Sequence, residues 1–71
     1  MRYKFTEVFQ KNPNSSISPK IPVQIGGVTM SPGVAFTSGV SFSGVDIAQY
    51  QDKDIDGDIV NGILIIKGFY N

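Results

Sequence analysis

The chain has 71 residues, carries no net charge and contains neither cysteine nor histidine. Without these side chains it has no disulfides, no thiolate or imidazole metal ligands and no histidine acid or base, so we do not expect an enzyme. A chain this short forms one domain, here residues 1–71, and buries only about 60% of the surface that its unfolded form exposes. We therefore expect further support from a second copy of the chain or from a cation held by oxygen ligands.

The charges are sorted along the chain. Residues 1–20 hold four basic side chains and one acidic one, residues 46–71 hold five acidic and two basic ones, and residues 21–45 hold none. This distribution favours pairing of the N-terminal segment with the C-terminal one, within a subunit or between subunits. Solvation of two separate surfaces is the alternative. Zero net charge disfavours nucleic acid as a partner.

Membrane association and secretion are not expected. The first residues contain no apolar run of signal-peptide length, and no stretch reaches the ~18 apolar residues of a membrane-spanning helix. The sequence therefore predicts a cytoplasmic protein with no membrane partner.

The first twenty residues divide into an aromatic and a polar half. Residues 2–9 alternate loosely between aromatic and polar side chains, which predicts a strand with one buried face; a short helix over residues 5–11 is the alternative. Residues 10–20 are polar and include two prolines, which cannot donate a hydrogen bond to a strand ladder. They predict an exposed loop, and we favour a disordered one over a functional one.

Residues 21–45 form an uncharged, glycine-rich segment with β character. A strand is predicted over residues 21–25, with Pro22 either at its start or at a sheet edge, and Gly26-Gly27 predicts a bend. Ser31-Pro32-Gly33-Val34 has proline and glycine in the order of a type II turn, and residues 37–40 predict a second turn. Large apolar side chains occupy most even positions from 28 to 42. They are Val28, Met30, Val34, Phe36, Val40 and Phe42.

The C-terminal third carries the strongest strand signal. Residues 44–50 predict one helical turn capped by Asp46 or a continued strand. The aliphatic run that starts at Ile63 follows Asn61-Gly62, the pair that a two-residue type I′ hairpin prefers, so a hairpin is predicted over residues 54–70. The predicted fold class is all-β, a small antiparallel sheet or partly open barrel of about five to six short strands with a C-terminal hairpin, and one short helical turn is allowed.

Residues 52–58 read Asp-Lys-Asp-Ile-Asp-Gly-Asp, with a carboxylate at every second position. For its first eight residues this stretch resembles the calcium loop of EF-hand proteins, which has oxygen ligands at alternate positions and a glycine among them. The last position of that loop, a bidentate glutamate in the family, is Ile63 here. The resemblance therefore implies at most a weak calcium site. Its ligands would be Asp52, Asp54, Asp56 and Asp58.

The hairpin gives the same carboxylates another role. A turn at Asn61-Gly62 places Asp56 opposite Lys67. The buried face then consists of Ile55, Gly57, Ile59, Leu64 and Ile66. The exposed face carries Asp54, Asp56 and Asp58, whose charges protect the sheet from edge-to-edge pairing. We prefer this interpretation, and we expect no metal, no cofactor and no catalytic residue.

The function that the sequence favours is a non-enzymatic structural or interaction module that forms a homo-oligomer. Twenty-five consecutive uncharged residues in so small a chain are the reason, because they are difficult to cover within one copy. A weak calcium- or cation-binding accessory domain built on the acidic stretch is the alternative. Binding of a basic protein partner through the same carboxylates is a third hypothesis, and such binding would weaken with salt.

Overall fold

A computed structural model describes residues 1–70 of the chain, so residue 71 of the predicted domain lies outside the described residues. The strands are β1 (Arg2–Tyr3), β2 (Phe9–Lys11), β3 (Ile17–Pro19), β4 (Val23–Ile25), β5 (Val28–Met30), β6 (Ile55–Val60) and β7 (Ile63–Phe69). A one-turn helix, α1 (Phe5–Val8), and a 3-10 helix (Ile47–Tyr50) complete the secondary structure. One sheet has five strands in the order β1-β6-β7-β4-β5, and β2 and β3 form a second sheet. The predicted all-β class is confirmed, with seven strands within residues 1–70 instead of the five to six expected. The main sheet is not closed into a barrel.

One strand pair in the main sheet is parallel. β4 runs parallel to β7, with Val23 beside Leu64 and Ile25 beside Ile66, whereas the other neighbouring strands are antiparallel. A parallel pair needs a long crossover connection, and here the chain from β5 to β6 provides it. Local periodicity predicts strands but does not say which strands become neighbours, so this pair had no signal in the sequence.

The segment predicted as one strand over residues 2–9 is divided into β1, α1 and β2. In a continuous strand Val8 would point away from Phe5 and Phe9, because successive side chains alternate between faces. The helical turn brings all three to the core, where each is at most 3% exposed. Burial of these three side chains therefore outweighs the strand pattern.

The predicted exposed loop over residues 10–20 is wrong at both ends, because Gln10 and Lys11 belong to β2. Residues 17–19 form β3, which pairs with β2, and Ile17 is only 1% exposed. The side-chain amide of Asn12 donates hydrogen bonds to Ser16 Oγ at 3.0 Å and to Ser18 Oγ at 2.9 Å. These bonds replace the hydration of buried polar groups, which is how a polar stretch becomes part of the packed structure.

The uncharged segment is a regular β structure only at its beginning. β4 and β5 form a hairpin around Gly26-Gly27, and Pro22 lies directly before β4, as predicted for a strand start. The predicted type II turn is also present, because Gly33 has a φ of 101° and the Val34 N–H donates to the Ser31 carbonyl at 3.2 Å.

Only some of the large apolar side chains at even positions from 28 to 42 are buried. Met30 and Phe36 are buried, whereas Val34 and Val40 are each 43% exposed. Phe36 pairs with Ile17 through a single bridge rather than as part of a longer strand. The glycines and the proline of this segment interrupt the strand, so isolated side chains anchor it to the core.

The core lies against one face of the five-stranded sheet and extends to the two-stranded sheet. Its buried members are Phe5, Val8, Phe9, Ile17, Val23, Ile25, Met30, Phe36, Ile47, Ala48, Ile55, Leu64 and Ile66. A chain of aromatic contacts joins the elements, from Phe5 to Phe9 (ring centroids 4.9 Å apart), to Phe36 (6.0 Å) and to Phe42 (5.0 Å). These distances are in the range in which aromatic pairs attract each other beyond their burial, so the chain fastens the irregular segment to α1 and β2.

The predicted helical turn is present as the 3-10 helix, and Asp46 occupies its N-cap position. The Asp46 side chain makes no capping bond to this helix. Its Oδ2 instead accepts hydrogen bonds from the Gly39 N–H at 2.8 Å and from Gln49 Nε2 at 3.3 Å. Asp46 therefore ties the preceding loop to the helix.

The predicted C-terminal hairpin is confirmed in its turn and in the first half of its ladder. Asn61 and Gly62 both have positive φ (53° and 80°), as a type I′ turn requires. The predicted register holds as far as the pair of Gly57 with Ile66, after which Asp56 lies opposite Gly68. The prediction that Asp56 faces Lys67 is wrong, because Lys67 is an extra residue in a β-bulge.

The predicted buried face of the hairpin is wrong at one position. Ile59 is 54% exposed, although its cross-strand partner Leu64 is fully buried. β4 covers the flank of β7 at Leu64, whereas the paired residues of β1 lie beside Ile55 and Asp56 only. Ile59 therefore extends past the end of the core.

Two glycines of the hairpin provide a test of the packing. A Cβ at Gly57 would lie 2.5 Å from the backbone oxygen of Ile65, whereas a Cβ at Gly68 would have no atom within 4 Å. We expect Gly57→Ala to lower the free energy of unfolding by about 1–3 kcal/mol, as overpacking does. Gly68→Ala, the matched control, should change it by no more than about 0.5 kcal/mol. Chemical denaturation measures both, and equal losses would contradict the close approach of the two strands at Gly57.

Candidate functional site

The four aspartates considered as metal ligands lie in the turn before β6 and along that strand. Asp52 is in the turn, Asp54 directly precedes β6, and Asp56 and Asp58 lie within it. The last three share the outer face of the hairpin, because alternate residues of an extended chain point to the same side. Their Cα atoms follow one another at about 6.6 Å, twice the rise of a strand residue. Calcium holds its oxygen ligands at about 2.3–2.6 Å, which favours a loop that wraps around the ion. Among residues 1–70, no three acidic side chains are grouped to hold one metal ion.

Cationic groups of the same chain pair with these carboxylates. Arg2 Nε lies 2.6 Å from Asp54 Oδ2, and Lys67 Nζ lies 2.6 Å from Asp58 Oδ2. The amine of Met1 lies 3.4 Å from Asp58 Oδ1 and 3.7 Å from Asp56 Oδ1. The N-terminal and C-terminal segments therefore pair within one subunit, which is one of the two arrangements that the sorted charges allowed.

The contact between Asp58 and Lys67 shifts the pKa of both groups. The hydrogen bond from Lys67, followed by that from the N-terminal amine, lowers the pKa of Asp58 below its usual value. The same hydrogen bond and the charge of Asp58 raise the pKa of Lys67. Both groups are therefore held in their charged forms.

The outer face of the hairpin also carries aliphatic side chains. The pairs of Val60 with Ile63 and of Asp58 with Ile65 place all four side chains on this face. Val60 is 52% exposed, and Ile63 and Ile65 are half-buried and lie outside the core. We call Val60, Ile63 and Ile65 the outer-face patch.

Sequence reasoning missed the outer-face patch because it used the aliphatic run only as a strand signal. The run from Ile63 to Ile66 is aliphatic at every position, so it supplies both faces of the strand. The signal that could have revealed the patch was this unbroken run of apolar residues, because a strand with one solvent-exposed face should alternate between apolar and polar residues.

An open cavity of about 430 Å³ lies at the end of the parallel strand pair, and we call it the β7 cleft. Ile25 and Ile66 line it, as do Tyr50 and Phe69, whose rings are stacked with centroids 4.4 Å apart. Ser43 lines it as well, from the chain segment that crosses between β5 and β6. The cleft is therefore lined by apolar and aromatic side chains together with polar backbone and side-chain groups.

A tight turn closes one side of the β7 cleft. Ser43 and Gly44 both have positive φ, and Phe42 and Val45 on either side exchange two backbone hydrogen bonds, as in a type I′ turn. Ser43 Oγ accepts from the Gly27 N–H and donates to the Ile25 carbonyl, both at 3.3 Å. A Cβ at Gly26 would collide with the Ser43 side chain, so the close contact of the two turns needs glycine there.

Comparisons of this chain with protein families, with curated proteins and with solved structures found no match. None of the helices within residues 1–70 has the length and apolar character to cross a membrane. Function is therefore inferred from the surfaces of the chain itself, which are the paired carboxylates, the outer-face patch and the β7 cleft.

Calcium addition tests the role of the carboxylates. Because Asp54, Asp56 and Asp58 are extended along a strand and paired with cations, we expect their backbone amide resonances to stay unchanged up to millimolar calcium. The melting temperature should also stay constant, since an ion that binds only the folded state would raise it. Shifts confined to residues 52–58 at sub-millimolar calcium, with magnesium as the control ion, would contradict this arrangement.

The pH dependence of stability tests the pair of Asp58 with Lys67. A folded-state pKa of Asp58 below its unfolded value stabilises the fold above about pH 4, and this contribution is lost as the pH falls through the lowered value. A raised pKa of Lys67 stabilises the fold below about pH 10, and this contribution is lost as the pH rises through the raised value.

We therefore expect Lys67→Gln to move the pKa of the Asp58 carboxyl upward towards its ordinary value, as measured by NMR titration of that carboxyl. Lys53→Gln removes the same charge near the acidic stretch without touching Asp58 and should leave this pKa in place. An unchanged titration of Asp58 in Lys67→Gln would contradict the pairing.

Proposed function

We propose that the protein is a non-enzymatic interaction module that self-associates through the outer face of its β6–β7 hairpin. The observation that carries this proposal is the outer-face patch, three aliphatic side chains on the sheet face opposite the core. Aliphatic surface on a second sheet face is stabilised when another sheet packs against it, at a spacing of about 10 Å.

The charges around the patch support a second copy of the chain as the partner. Asp54, Asp56 and Asp58 lie on this side of the hairpin together with three cationic groups, namely Arg2, Lys67 and the N-terminal amine. This face therefore carries as many negative as positive charges. In a two-fold dimer the same surface meets itself, so a strongly charged face would repel its copy, whereas a balanced one does not.

The size of the molecular surface supports a reversible association over an obligate one. The described chain has an accessible surface of 4213 Å². A folded monomer of 7.7 kDa has about 4300 Å² on the size scaling of globular proteins. One copy therefore covers its core as well as an ordinary monomer does, and the patch is available for association between folded subunits.

The paired carboxylates support a non-enzymatic role and make the other hypotheses less favourable. A general acid needs a raised pKa, and Lys67 shifts that of Asp58 in the opposite direction. A calcium ion or a basic protein would have to displace cationic groups that already pair with these carboxylates. A cytoplasmic location remains part of the proposal, on the sequence features given above.

Oligomeric state tests the proposal. We expect sedimentation equilibrium to show a reversible dimer at high micromolar concentration. Ile65→Lys replaces an aliphatic side chain of the patch by a charged one and should raise the dissociation constant by about tenfold or more, because desolvation of the charge at an interface costs at least about 1.4 kcal/mol. The fold should persist, since Ile65 lies outside the core.

Val40→Lys is the matched control, because Val40 is 43% exposed and belongs to the uncharged segment that the sequence favoured as an interface. We expect it to dimerise like the unmodified chain. A strictly monomeric unmodified chain would overturn the proposal. Loss of the dimer in Val40→Lys but not in Ile65→Lys would overturn it in favour of the uncharged segment.

A further inference from the structure

We propose that the β7 cleft binds a short extended peptide that carries an apolar side chain, by addition of the peptide as a strand beside the end of β7. Such a site is separate from the outer-face patch, because its apolar lining belongs to the core side of the sheet.

The first observation is that β7 is longer than the strand that flanks it. β4 pairs with β7 only from Leu64 to Ile66, and the chain then turns back at Gly26-Gly27 into β5, on the side of β4 that faces away from β7. β7 continues to Phe69, and on its other flank it remains paired with β6, where Phe69 lies opposite Ile55. The last three residues of β7 therefore have a strand on one flank and the cleft on the other.

The second observation is the direction of the backbone groups. The Tyr70 N–H donates to the Asp54 carbonyl at 2.9 Å, so Tyr70 points towards β6. Alternate residues of an antiparallel ladder point to opposite flanks, and therefore the N–H and carbonyl of Phe69 point to the flank that β4 has left. A donor and an acceptor on an open strand flank are what an added strand binds.

The third observation is the lining of the cleft at this place. Ile25 and Ile66 provide an apolar contact surface, and the stacked rings of Tyr50 and Phe69 provide a second one. The volume of about 430 Å³ is in the lower part of the range of ligand pockets, about 300–1,000 Å³. In strand addition the backbone contributes affinity and a side-chain pocket contributes specificity.

The charges near the cleft define the class of peptide. Lys67 lines the cleft, but its Nζ pairs with Asp58 on the outer face. Ser43 Oγ is already bonded to two backbone groups. The cleft therefore offers no free charge, which favours an uncharged peptide with an aliphatic or aromatic side chain over an anionic or cationic ligand.

NMR titration with a defined probe tests the proposal. The probe is the capped pentapeptide Ac-Ala-Val-Phe-Val-Ala-NH2. Two control ligands are used, the same peptide with N-methylated backbone amides and the small molecule indole. We expect the pentapeptide at millimolar concentration to shift the amides of residues 66–69, Ser43 and Tyr50, and to slow hydrogen exchange of the Phe69 amide. N-methylation should weaken binding by at least about fivefold, the loss of one hydrogen bond.

Two variants locate the site. Tyr50→Ala removes one ring of the cleft and should weaken binding several-fold. Tyr70→Ala is the matched control and should not weaken binding, because the Tyr70 ring stacks with Arg2 and does not line the cleft. The Ile65→Lys variant should bind the peptide as the unmodified chain does, so that loss of self-association and loss of peptide binding are separate results.

Three results would overturn the proposal. The first is no amide shift at millimolar peptide. The second is equal binding of indole, which would indicate a site for small aromatic molecules, or equal binding of the N-methylated peptide, which would exclude addition of the peptide as a strand. The third is shifts at the outer-face patch instead of the cleft, which would indicate binding to the other side of the sheet.

Discussion

The register of the β6–β7 ladder is the constraint on which the rest of the structure depends. β7 lies in the centre of the five-stranded sheet, with β6 and β1 on one side of it and β4 and β5 on the other. The type I′ turn at Asn61-Gly62 sets the first half of the register, and the bulge at Lys67 changes the second half. Without the bulge Lys67 would lie opposite Asp56. With it, Lys67 reaches Asp58, and Asp56 is left to the N-terminal amine.

The same extra residue determines which side chains face the core. Before the bulge, Leu64 and Ile66 point inward and Ile63 and Ile65 point outward. A regular strand would continue this alternation and turn Phe69 outward, beside the isoleucines. The bulge inverts the alternation, so Phe69 packs against Tyr50 on the inner side. One inserted residue thus separates the outer-face patch from the β7 cleft.

Features that depend on a few neighbouring residues could be predicted from the sequence, and those that depend on distant ones could not. Asn61-Gly62 and the turn at Gly33 were predictable because positive φ restricts the choice of residue locally. β3 was not, because its Ile17 is held at the core by a bridge to Phe36, which is distant in sequence. The bulge at Lys67 had only the neighbouring Gly68 as a local signal, because an isolated glycine in a strand suggests a bulge without fixing the register that follows it.

The acidic stretch illustrates the same limit at the level of function. A spacing of two suits a calcium loop and a strand face equally well, so the residues themselves left both interpretations open. Arg2, fifty-two residues from Asp54 in sequence, distinguishes them, because only the folded sheet brings its guanidinium to that carboxylate.

Asp54, Asp56 and Asp58 already pair with cationic groups of the same chain, and this limits what a binding partner can gain from them. Exposed ion pairs contribute little net free energy, so a partner that exchanges one such pair for another gains little. Favourable binding must then come mainly from apolar area removed from water, at roughly 25 cal/mol per Å². The outer-face patch and the β7 cleft provide such apolar surface on the hairpin, and this is why both proposals place recognition there and assign the carboxylates to the solvent-exposed face of the sheet.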